Sequence, residues 1–496
     1  MLNPRTIHNG TSSANAEGVV RYWGRKSRNL AQFYIQRFTK PHEVVADLFG
    51  GSGIFVKAAL DVDRRAIYVD LNPFAHLIAK TTIAPCDLAE FVKATAALLS
   101  EPQVRFRRKR TFACEGSKFF SIRCKCGRWT EADSITYGRK YRRLRPVSLG
   151  LNETSQSVYK SIPLRGITHS ALVSLHPELD SQTVTRVVKT LAKSRLVREV
   201  EFVVGSRFVS QCSCGRRGLS LPITIDWLVG GKVKPKLTPP HNKLEYSDGT
   251  PFLKRRDVSR LSELFTARNL AILTSLWDDI QGLRVKTDVK DCLRLAFMGT
   301  LARSSKMCRE EGGSWPVNSY WIPRTYTVRN PYRVFRRAVG RISSLLRRHQ
   351  QVTVGTSEEV LSGMADVSFL LEDATKTKFP RRSLDYVLVD PPHSDEAQYF
   401  ELSLFYTSWL NKRLNFGREV IINANRRKDA MGYFDMLRRA SKLIRNSLKP
   451  GGYYTLILHD TNRTFVKRCA DTIQEIGLGL VADEIVDGYS IFTFKK

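Results

Sequence analysis

A carboxylate and two prolines follow a run of apolar, β-prone residues within residues 384–403, whose sequence is LDYVLVDPPHSDEAQYFELS. The simplest interpretation is a strand that ends in a turn, because proline cannot donate to the hydrogen-bond ladder of a sheet. The alternative is a site, because open α/β sheets build their sites at the carboxyl ends of their strands. In that case the carboxylate and the backbone carbonyls are hydrogen-bond acceptors that the stiff prolines hold in place. The candidate residues are Asp390, Pro391, Pro392 and His393.

A second candidate site is the glycine-rich segment DLFGGSG at residues 47–53, at the end of a strand predicted over residues 43–49. Glycine lets the backbone approach a ligand closely because it has no Cβ. Asp70 ends the next predicted strand, about 20 residues further on, where a ribose-binding carboxylate is expected. A glycine segment alone is also typical of a simple turn. The interpretation as a site therefore depends on Asp47, Asp70 and residues 390–393 taken together.

Two short cysteine pairs are near copies of each other, RCKCGR at residues 123–128 and QCSCGR at residues 211–216. Four thiolates can hold a tetrahedral zinc ion, and the glycine after each pair permits a tight turn. The usual spacing is Cys-x2-Cys, so buried thiols without metal are the alternative, and Cys114 could substitute for one ligand. Four thiolates leave no open coordination position, so the expected role of the metal is structural. The predicted ligands are Cys124, Cys126, Cys212 and Cys214.

The elements that would position these residues alternate between strands and helices in two separated parts of the chain. The first part follows the order strand, glycine loop, helix, strand and acid, which is typical of half of a nucleoside-binding sheet. The alternation stops near residue 105 and resumes near residue 367, so we predict one α/β domain split by a large insertion. The predicted divisions are two domain halves at residues 1–104 and 356–496, a basic zinc-ribbon and winged-helix module at residues 105–250, and a basic helical segment at residues 251–355.

Within the insertion, the pattern predicts a helix–turn–helix at residues 167–194 and a β-wing at residues 196–211. Ser181 is the expected N-cap of the second helix, and the turn of the wing is expected at residues 204–206. Apolar residues recur on one side of that helix at helical spacing, and cations lie on the other side. A winged helix that contacts a nucleic-acid duplex is preferred to a purely structural pair of helices.

The chain carries 80 Lys and Arg residues against 47 Asp and Glu residues, a formal net charge of +33. Such an excess repels itself unless a polyanion neutralises it, so nucleic acid is the expected partner. No apolar run reaches the ~18 residues needed to cross a bilayer, and the N-terminus lacks the apolar region of a signal peptide. We therefore expect a soluble, cytoplasmic protein with no membrane partner, in which the nine cysteines do not form a disulfide framework.

Together, these motifs resemble the S-adenosylmethionine-dependent DNA methyltransferases that modify adenine N6 or cytosine N4. The glycine segment matches the cofactor loop of that family, and Asp-Pro-Pro-His matches its catalytic tetrapeptide, which usually ends in Tyr, Phe or Trp. Residues 21–28 resemble the stretch that contacts the methionine end of the cofactor. The resemblance covers roughly residues 20–85 and 365–495. The cofactor-binding residues that it implies are Lys26, Asp47, Phe49, Gly51, Gly53, Asp70 and Asp373.

The resemblance implies a Rossmann-like sheet of seven strands, S-adenosylmethionine as cofactor, double-stranded DNA as substrate and target recognition by the insertion. It implies methylation of the exocyclic amine of a flipped base, adenine in preference to cytosine, with His393 stacking on the base. Chemistry at cytosine carbon 5 is not expected, because no cysteine stands at the strand end. An RNA base methyltransferase and a catalytically degenerate DNA-binding protein remain alternatives. The target sequence, the oligomeric state and the existence of a restriction or defence partner stay open.

Overall fold

The fold centres on a seven-stranded sheet that is built from both ends of the chain. The computed structural model describes residues 19–20, 22–23, 27–100, 103–107, 111–115, 121–123, 129–144, 151–163, 166–208, 234–235, 242–246, 248–252, 258–309, 320–348, 351–392 and 397–496. The strands are β1 Val44–Asp47, β2 Arg65–Asp70, β3 Gln103–Arg107, β4 Thr111–Glu115, β5 Ser121–Arg123, β6 Trp129–Arg143, β7 Ile167–Thr168, β8 Val197–Phe208, β9 Lys234–Pro235, β10 Thr325–Arg329, β11 Val367–Leu371, β12 Leu384–Val389, β13 Leu448–Leu458, β14 Gly479–Val486 and β15 Tyr489–Lys495. The α-helices are α1 Arg28–Phe38, α2 Ile54–Leu60, α3 Pro73–Ile83, α4 Leu88–Ser100, α5 Glu153–Lys160, α6 His169–Ser174, α7 Ser181–Lys193, α8 Ala267–Gly282, α9 Thr287–Ser304, α10 Pro331–Leu346, α11 Ser357–Ser362, α12 Tyr399–Thr407, α13 Ala430–Ser447 and α14 Arg463–Gln474.

The order of strands across this sheet is β11, β2, β1, β12, β13, β15, β14. All neighbouring pairs are parallel except the two that involve β15. β1 pairs with β12 through Val45 opposite Tyr386 and Ala46 opposite Val387. The two halves predicted from the sequence therefore form one sheet, and its two central strands come from opposite sides of the insertion.

The central strands are buried on both faces, which explains why they are continuous apolar runs in the sequence. Every residue of β1 is buried, as are five of the six residues of β12. On one face, α1 and α2 pack against the sheet through residues such as Leu30 and Phe55. On the other face, α13 and α14 contribute Leu437 and Ile473. Both faces are thus covered by helices, as expected for a parallel sheet.

The helical segment in the insertion packs against the N-terminal half of the α/β domain. α8, α9 and α10 share an apolar core with α3, α4 and α12. Within this core, the rings of Phe74 from α3 and Tyr406 from α12 are stacked with their centroids 3.9 Å apart. The segment also joins the basic module, because β10 pairs antiparallel with β6, with Val328 opposite Ile135. One apolar core therefore contains residues from all four predicted segments, the two domain halves, the basic module and the helical segment.

The described part of the basic module contains the predicted helix pair as α6 and α7, with a small core of their own that includes Leu172, Val184 and Leu191. Two details of the prediction are wrong. The N-cap of α7 is Asp180, whose carboxylate accepts hydrogen bonds from the N–H groups of Gln182 and Thr183, and not Ser181. Residues 204–206 do not form the turn of a wing, because β8 continues through them as the antiparallel neighbour of β6.

The irregularity at residues 204–206 is a bulge inside β8. Thr136 of β6 pairs with Gly205 and Tyr137 pairs with Val203, so Val204 has no partner in the register. A bulge bends a strand without ending it, which is why the Gly-Ser pair resembles a turn in the sequence. None of the helices that the structure describes is long and apolar enough to cross a membrane.

Candidate active site

A cleft lies at the carboxyl ends of the central strands, where the order of the sheet changes direction. After β1 the chain continues to β2 on one side, and after β12 it continues to β13 on the other side. Open α/β sheets leave a crevice at such a switch point. The cleft has a volume of about 850 Å3 when the space open to solvent is included.

Most of the predicted site residues that the structure describes lie at this cleft. Its lining includes Asp47, Phe49, Gly51, Asp70, Asp373, Asp390 and Pro392. Gly53 lies just behind the lining as the N-cap of α2, and Pro391 is buried. Lys26 and His393 lie outside the described residues, so their roles stay predictions.

The glycine loop after β1 is closed by short backbone hydrogen bonds. The Gly50 N–H donates to the Val69 carbonyl at 2.9 Å, and the Gly53 N–H donates to the Gly50 carbonyl at 2.8 Å. Gly51 and Gly53 have φ angles of +49° and +83°, in the left-handed region that favours glycine. A Cβ on Gly50 would lie 2.3 Å from the ring of Tyr68. The loop therefore follows a path past this ring that requires glycine.

Asp70, at the end of β2, holds the glycine loop and the start of α3 together. One carboxylate oxygen accepts a hydrogen bond from the Gly51 N–H at 2.7 Å, and the other accepts one from the Asn72 N–H at 2.7 Å. Burial raises the pKa of Asp70 to about 6, while these N–H groups and that of Leu71 act in the opposite direction. A carboxylate has about four acceptor positions, so Asp70 can also accept a hydrogen bond from a ribose hydroxyl.

Asp47, at the end of β1, is only 2% exposed. Its carboxylate accepts a hydrogen bond from the Phe49 N–H at 3.0 Å, which fixes the first turn of the loop. Burial raises the pKa of Asp47 well above its usual range, and the nearby charges of Asp70 and Asp390 raise it further. The ends of β1, β2 and β12 thus bring three carboxylates to one cleft.

Asp390 and the two prolines follow directly after β12. Because β12 is paired with β1 on one side and with β13 on the other, the position of its carboxyl end is fixed. Asp390 and Pro392 line the same cleft as the glycine loop. The sequence motifs on either side of the insertion therefore meet, as the prediction of one shared sheet required.

Asp373 lies in the loop after β11 and is 6% exposed. Its carboxylate accepts hydrogen bonds from the N–H group of Thr375 at 2.9 Å and from the hydroxyl of Thr375 at 2.7 Å. Asp373 and Ala374 both line the cleft. This tight turn orders the loop at the place where the resemblance predicts contact with the adenine of the cofactor.

Two aromatic residues at the cleft, Tyr22 and Trp23, belong to a stretch from which sequence reasoning selected only Lys26. The ring of Tyr22 lies 6.1 Å from that of Tyr399 and 6.2 Å from that of Phe74, measured between centroids. Burial raises the pKa of Tyr22 well above its usual range, and the charge of Asp70 adds to this effect. The signal that could have identified this residue is the aromatic pair itself, placed shortly before the glycine loop.

Asn72 is a further cleft residue that sequence reasoning left without a role. Its side chain caps α3 by accepting a hydrogen bond from the Phe74 N–H at 3.0 Å, and its amide donates to the Ser403 hydroxyl at 2.6 Å. Asn72 thereby connects the part of the domain that contains the glycine loop to α12, which follows the tetrapeptide. Asn before Pro73 is a recognisable N-cap signal, but its link to Ser403 depends on the tertiary fold.

The segment after α12 forms another wall of the cleft, through Arg418, Glu419 and Val420. Glu419 is 5% exposed, and its carboxylate accepts hydrogen bonds from the Phe400 N–H at 3.2 Å and from the guanidinium of Arg426 at 2.6 Å. Burial raises the pKa of Glu419, and Arg426 acts in the opposite direction. No pattern in the sequence pointed to this wall, because its charged residues are recognisable only once their burial is known.

The four cysteines predicted to bind zinc lie outside the described residues. Within the residues that the structure does describe, no group of three or more His, Cys, Asp or Glu side chains could hold a metal ion. The described cysteines Cys86, Cys292, Cys308 and Cys469 are free thiols. The zinc site therefore stays a prediction.

Comparison with known proteins gives one family match. Residues 4–81 match the family model N6_N4_Mtase, which describes a DNA methylase. The matched range contains the glycine loop and Asp70, and the match confirms the resemblance to N6/N4 DNA methylases that the sequence motifs predicted. No curated protein matches the chain.

Several solved structures are similar to part of the chain. An S-adenosylmethionine-dependent methyltransferase from Mesorhizobium loti has 8% identity and a TM-score of 0.16, and the match covers 31% of this chain and 84% of that one. A fibrillarin pre-rRNA processing protein from Methanococcus jannaschii has 13% identity and a TM-score of 0.15, covering 31% and 59%. A methyltransferase from Aquifex aeolicus has 12% identity and a TM-score of 0.15, covering 32% and 74%. At these TM-scores the likenesses carry no argument about function.

Proposed function

From the match of residues 4–81 to the DNA methylases, we propose that this chain transfers a methyl group from S-adenosylmethionine to an exocyclic amine of a DNA base. Adenine N6 is favoured over cytosine N4 because the tetrapeptide begins with Asp, as the sequence resemblance implies. The observation that carries the proposal is the cleft that the glycine loop, Asp70 and Asp390 share. Its two sides provide a place for a nucleoside cofactor and a place for an acceptor amine.

The residues of the cleft fit the cofactor. Gly51 lines the cleft in the left-handed region that favours glycine, so no side chain covers the backbone there and a ligand can approach it closely. Asp70 would accept a hydrogen bond from the ribose, and the turn at Asp373 would lie beside the adenine. When bound, the cofactor supplies a methyl group attached to a positively charged sulfonium. The carboxylates of Asp47, Asp70 and Asp390 give the cleft a negative character that favours this charge.

At the acceptor amine, Asp390 and the Pro391 carbonyl would each accept one N–H hydrogen bond. The lone pair of an amine conjugated to a base ring is delocalised, and two fixed acceptors would make the nitrogen pyramidal and direct its lone pair at the methyl carbon. Positive charge would develop on this nitrogen as it bonds to the methyl carbon and the carbon–sulfur bond breaks, and one N–H proton would then leave the nitrogen. Acceptors that are already in place stabilise that charge without reorganisation, as donors do in an oxyanion hole with the opposite sign.

The acceptor amine is not accessible inside a duplex, so the base must leave the stack and enter the cleft. His393 is the residue that would stack on it, in the position where the family usually has a larger ring. Tyr399, which lines the cleft at the start of α12, offers a second aromatic surface. The roles of both rings belong to this proposal.

The basic module is proposed to contact duplex DNA through α7. Arg186, Lys189 and Lys193 are exposed on this helix, while Val184 and Leu191 are buried against the rest of the module. A helix that presents cations on one side and is anchored by its apolar side suits a negatively charged duplex. The four predicted zinc ligands would close this module.

One assay tests the proposed function. The full chain is incubated with cofactor labelled in its methyl group and with either duplex DNA or RNA, and the nucleic acid is then digested to nucleosides. Labelled N6-methyldeoxyadenosine is the expected product. Labelled RNA nucleosides alone would indicate an RNA base methyltransferase. Cofactor binding without a product on either nucleic acid would indicate a degenerate DNA-binding protein.

A further inference from the structure

Residues 410–428, between α12 and α13, form a loop that we call the rim loop. It contains six cations, Lys412, Arg413, Arg418, Arg426, Arg427 and Lys428, and a single acid, Glu419. None of the sequence motifs falls in this segment. Its charge nevertheless lies beside the cleft, because residues 418–420 belong to the cleft wall.

The cations of the rim loop fall into two groups. Lys412, Arg413, Arg418 and Arg427 are exposed. Arg418 is both exposed and part of the lining of the cleft, so this residue lies at the mouth. Its guanidinium makes no hydrogen bond or ion pair with the part of the chain that the structure describes. Its charge is therefore available to an external anion.

Arg426 belongs to the second group, which holds the loop from behind. Its guanidinium lies 3.0 Å from the carboxylate of Glu401 and 2.6 Å from that of Glu419, and the side chains of all three residues are at most 5% exposed. Glu401 also accepts hydrogen bonds from the Asn423 amide at 2.9 Å and from the Tyr246 hydroxyl. A buried ion pair with this many hydrogen bonds fixes its geometry, because breaking it would leave uncompensated charge.

Arg426 and the half-buried Lys428 fix the backbone around Arg418. Arg426 donates to the carbonyl of Phe416 at 2.9 Å, and Lys428 donates to the carbonyl of Gly417 at 2.8 Å. The carboxylate of the following residue, Glu419, is bound by Arg426. The residues on both sides of Arg418 are thus tied to the interior, while Arg418 itself faces the mouth of the cleft.

Glu419 connects this loop to α12. Its carboxylate accepts the hydrogen bond of the Phe400 N–H at 3.2 Å, and Phe400 is the second residue of α12, which follows the tetrapeptide. The Asn423 amide also donates to the side chain of Gln398, just before α12. The rim loop and the start of α12 are therefore held in one fixed relation.

We propose that the rim loop binds the DNA backbone beside the extruded nucleotide, with Arg418 contacting a phosphodiester at the mouth of the cleft. The proposal rests on the proposed function, because it assumes that a base enters the cleft. Once the base is inside, the phosphates that flank it must remain at the mouth. An unpaired guanidinium on a fixed backbone there suits a phosphate through paired hydrogen bonds. The contact carries no sequence information, so it would act on any target.

The experiment compares Arg418→Gln with Arg381→Gln in the full chain. Arg381 is also exposed and loses the same charge, but it precedes β12 and so lies at the opposite end of the strands. The probe is a labelled duplex oligonucleotide with a single mismatched adenine, which leaves the stack at lower cost than a paired base. Binding is measured at a series of salt concentrations from about 50 to 200 mM.

For Arg418→Gln, the slope of log K against log salt is expected to decrease in magnitude by about 1, the amount that one lost phosphate contact predicts. Binding should weaken several-fold at the lowest salt concentration. Arg381→Gln should keep the slope of the wild-type chain, and both variants should keep the wild-type affinity for the cofactor. An Arg418→Gln slope equal to that of the wild type would overturn the proposal. A smaller slope on RNA but not on DNA would also overturn it.

The same samples separate this inference from the proposed function. If the wild-type chain methylates DNA but Arg418→Gln leaves the slope unchanged, the phosphate contact is wrong and the function stands. If Arg418→Gln reduces the slope but no methylated nucleoside forms, the contact stands and the function is wrong. Both measurements use the folded chain, and a melting curve for each variant confirms that the substitution of an exposed arginine has not altered the fold.

Discussion

The carboxylates of Asp70 and Asp390 lie at one cleft, yet their surroundings give them different chemistry. Asp70 is fixed by the N–H groups of the glycine loop and of Asn72, so it is a rigid acceptor on the side that we propose for the cofactor. Asp390 directly follows a central strand, and two prolines come after it in the sequence. In the proposed reaction it meets a nitrogen that becomes positively charged. A substitution of either residue should therefore affect a different step.

Replacing Asp390 with Ala is expected to reduce methyl transfer by about 100-fold or more, since preorganised hydrogen-bonding groups contribute on this order. Cofactor affinity should change little, because the glycine loop and Asp70 are intact. Single-turnover kinetics and cofactor titration measure the two effects separately. Asp390→Asn is the matched variant, which keeps the size of the side chain but lacks the charge. Unchanged turnover in Asp390→Ala would exclude a catalytic role.

The affinity for the cofactor is expected to fall as the pH falls below about 6. Burial raises the pKa of Asp70 to about 6, so the carboxylate is charged above this pH and protonated below it. Protonation removes acceptor capacity and the attraction for a positively charged ligand, so the affinity is lost as the pH decreases through this value. Isothermal titration between about pH 5 and 8 measures the effect. Asp70→Asn should bind weakly at every pH without this dependence, and a flat wild-type profile would contradict the assignment.

At the scale of elements, the turn from β1 to α2 and the rim loop are two of the segments that line the cleft. The turn is shaped by backbone conformation, since Gly51 and Gly53 occupy the left-handed region and Gly50 packs against Tyr68. The rim loop is shaped by buried charge, through Arg426 and its two carboxylates. The turn is recognisable in the sequence by its glycines, whereas the rim loop has no recognisable motif.

Gly50→Ala is expected to weaken cofactor binding by about tenfold or more and to destabilise the fold by about 1–3 kcal/mol, because the new Cβ has no space beside Tyr68. The matched control is Gly340→Ala in α10, where a Cβ meets nothing within 4 Å. That change should stabilise the chain by about 0.5–1 kcal/mol, since alanine favours a helix interior. Thermal unfolding and cofactor titration give both values. Equal behaviour of the two variants would show that the turn tolerates a side chain.

Arg426→Met is expected to destabilise the chain by about 3–5 kcal/mol, because it leaves Glu401 and Glu419 buried without their cation. Adding Glu401→Gln and Glu419→Gln should recover part of this loss, since the amides remove the buried charges. Denaturant unfolding of the single and triple variants measures the recovery. If the triple variant is less stable than Arg426→Met, the buried charge of the two unpaired carboxylates is not the cause.

The sequence could predict the elements with an apolar pattern and could not predict those defined by tertiary contacts. β1 and β12 were recognisable because both of their faces are buried. β8 was predicted as two strands, because a bulge at Val204 and a turn have similar residue preferences. The cleft wall at Glu419 was missed for a different reason, since Glu401 and Arg426 resemble ordinary surface charges until the fold buries them.

At the scale of the whole molecule, most of the formal charge of +33 lies in the insertion, with +17 in residues 105–250 and +12 in residues 251–355. The module contributes the exposed cations of α7, and the rim loop contributes those at the mouth. The pairing of β6 with β10 ties the module to the helical segment, which in turn shares a core with α3. The module is thus connected to the elements around the cleft by continuous packing, so a duplex bound to the module would be held in a defined position relative to the cleft.

The purified full chain is expected to contain about one zinc ion, because Cys124, Cys126, Cys212 and Cys214 can supply four thiolates. Metal analysis of chain prepared with ample zinc measures the content. Cys124→Ser with Cys212→Ser should lose the metal, since two ligands are removed, whereas Cys86→Ser, which alters a described free thiol, should keep it. A content near zero in the wild-type chain would end the zinc proposal.

The hydrogen bond from the Val44 N–H to the carboxylate of Asp385, at 2.9 Å, joins residues that are 341 positions apart. At about 5–20 residues per second, a ribosome needs about 20–70 s to make the intervening polypeptide. During that interval the nascent β1 has no central neighbour and its edge is unsatisfied, which exposes it to aggregation. Translation speed and chaperone supply should therefore determine how much active product a cell obtains from this chain.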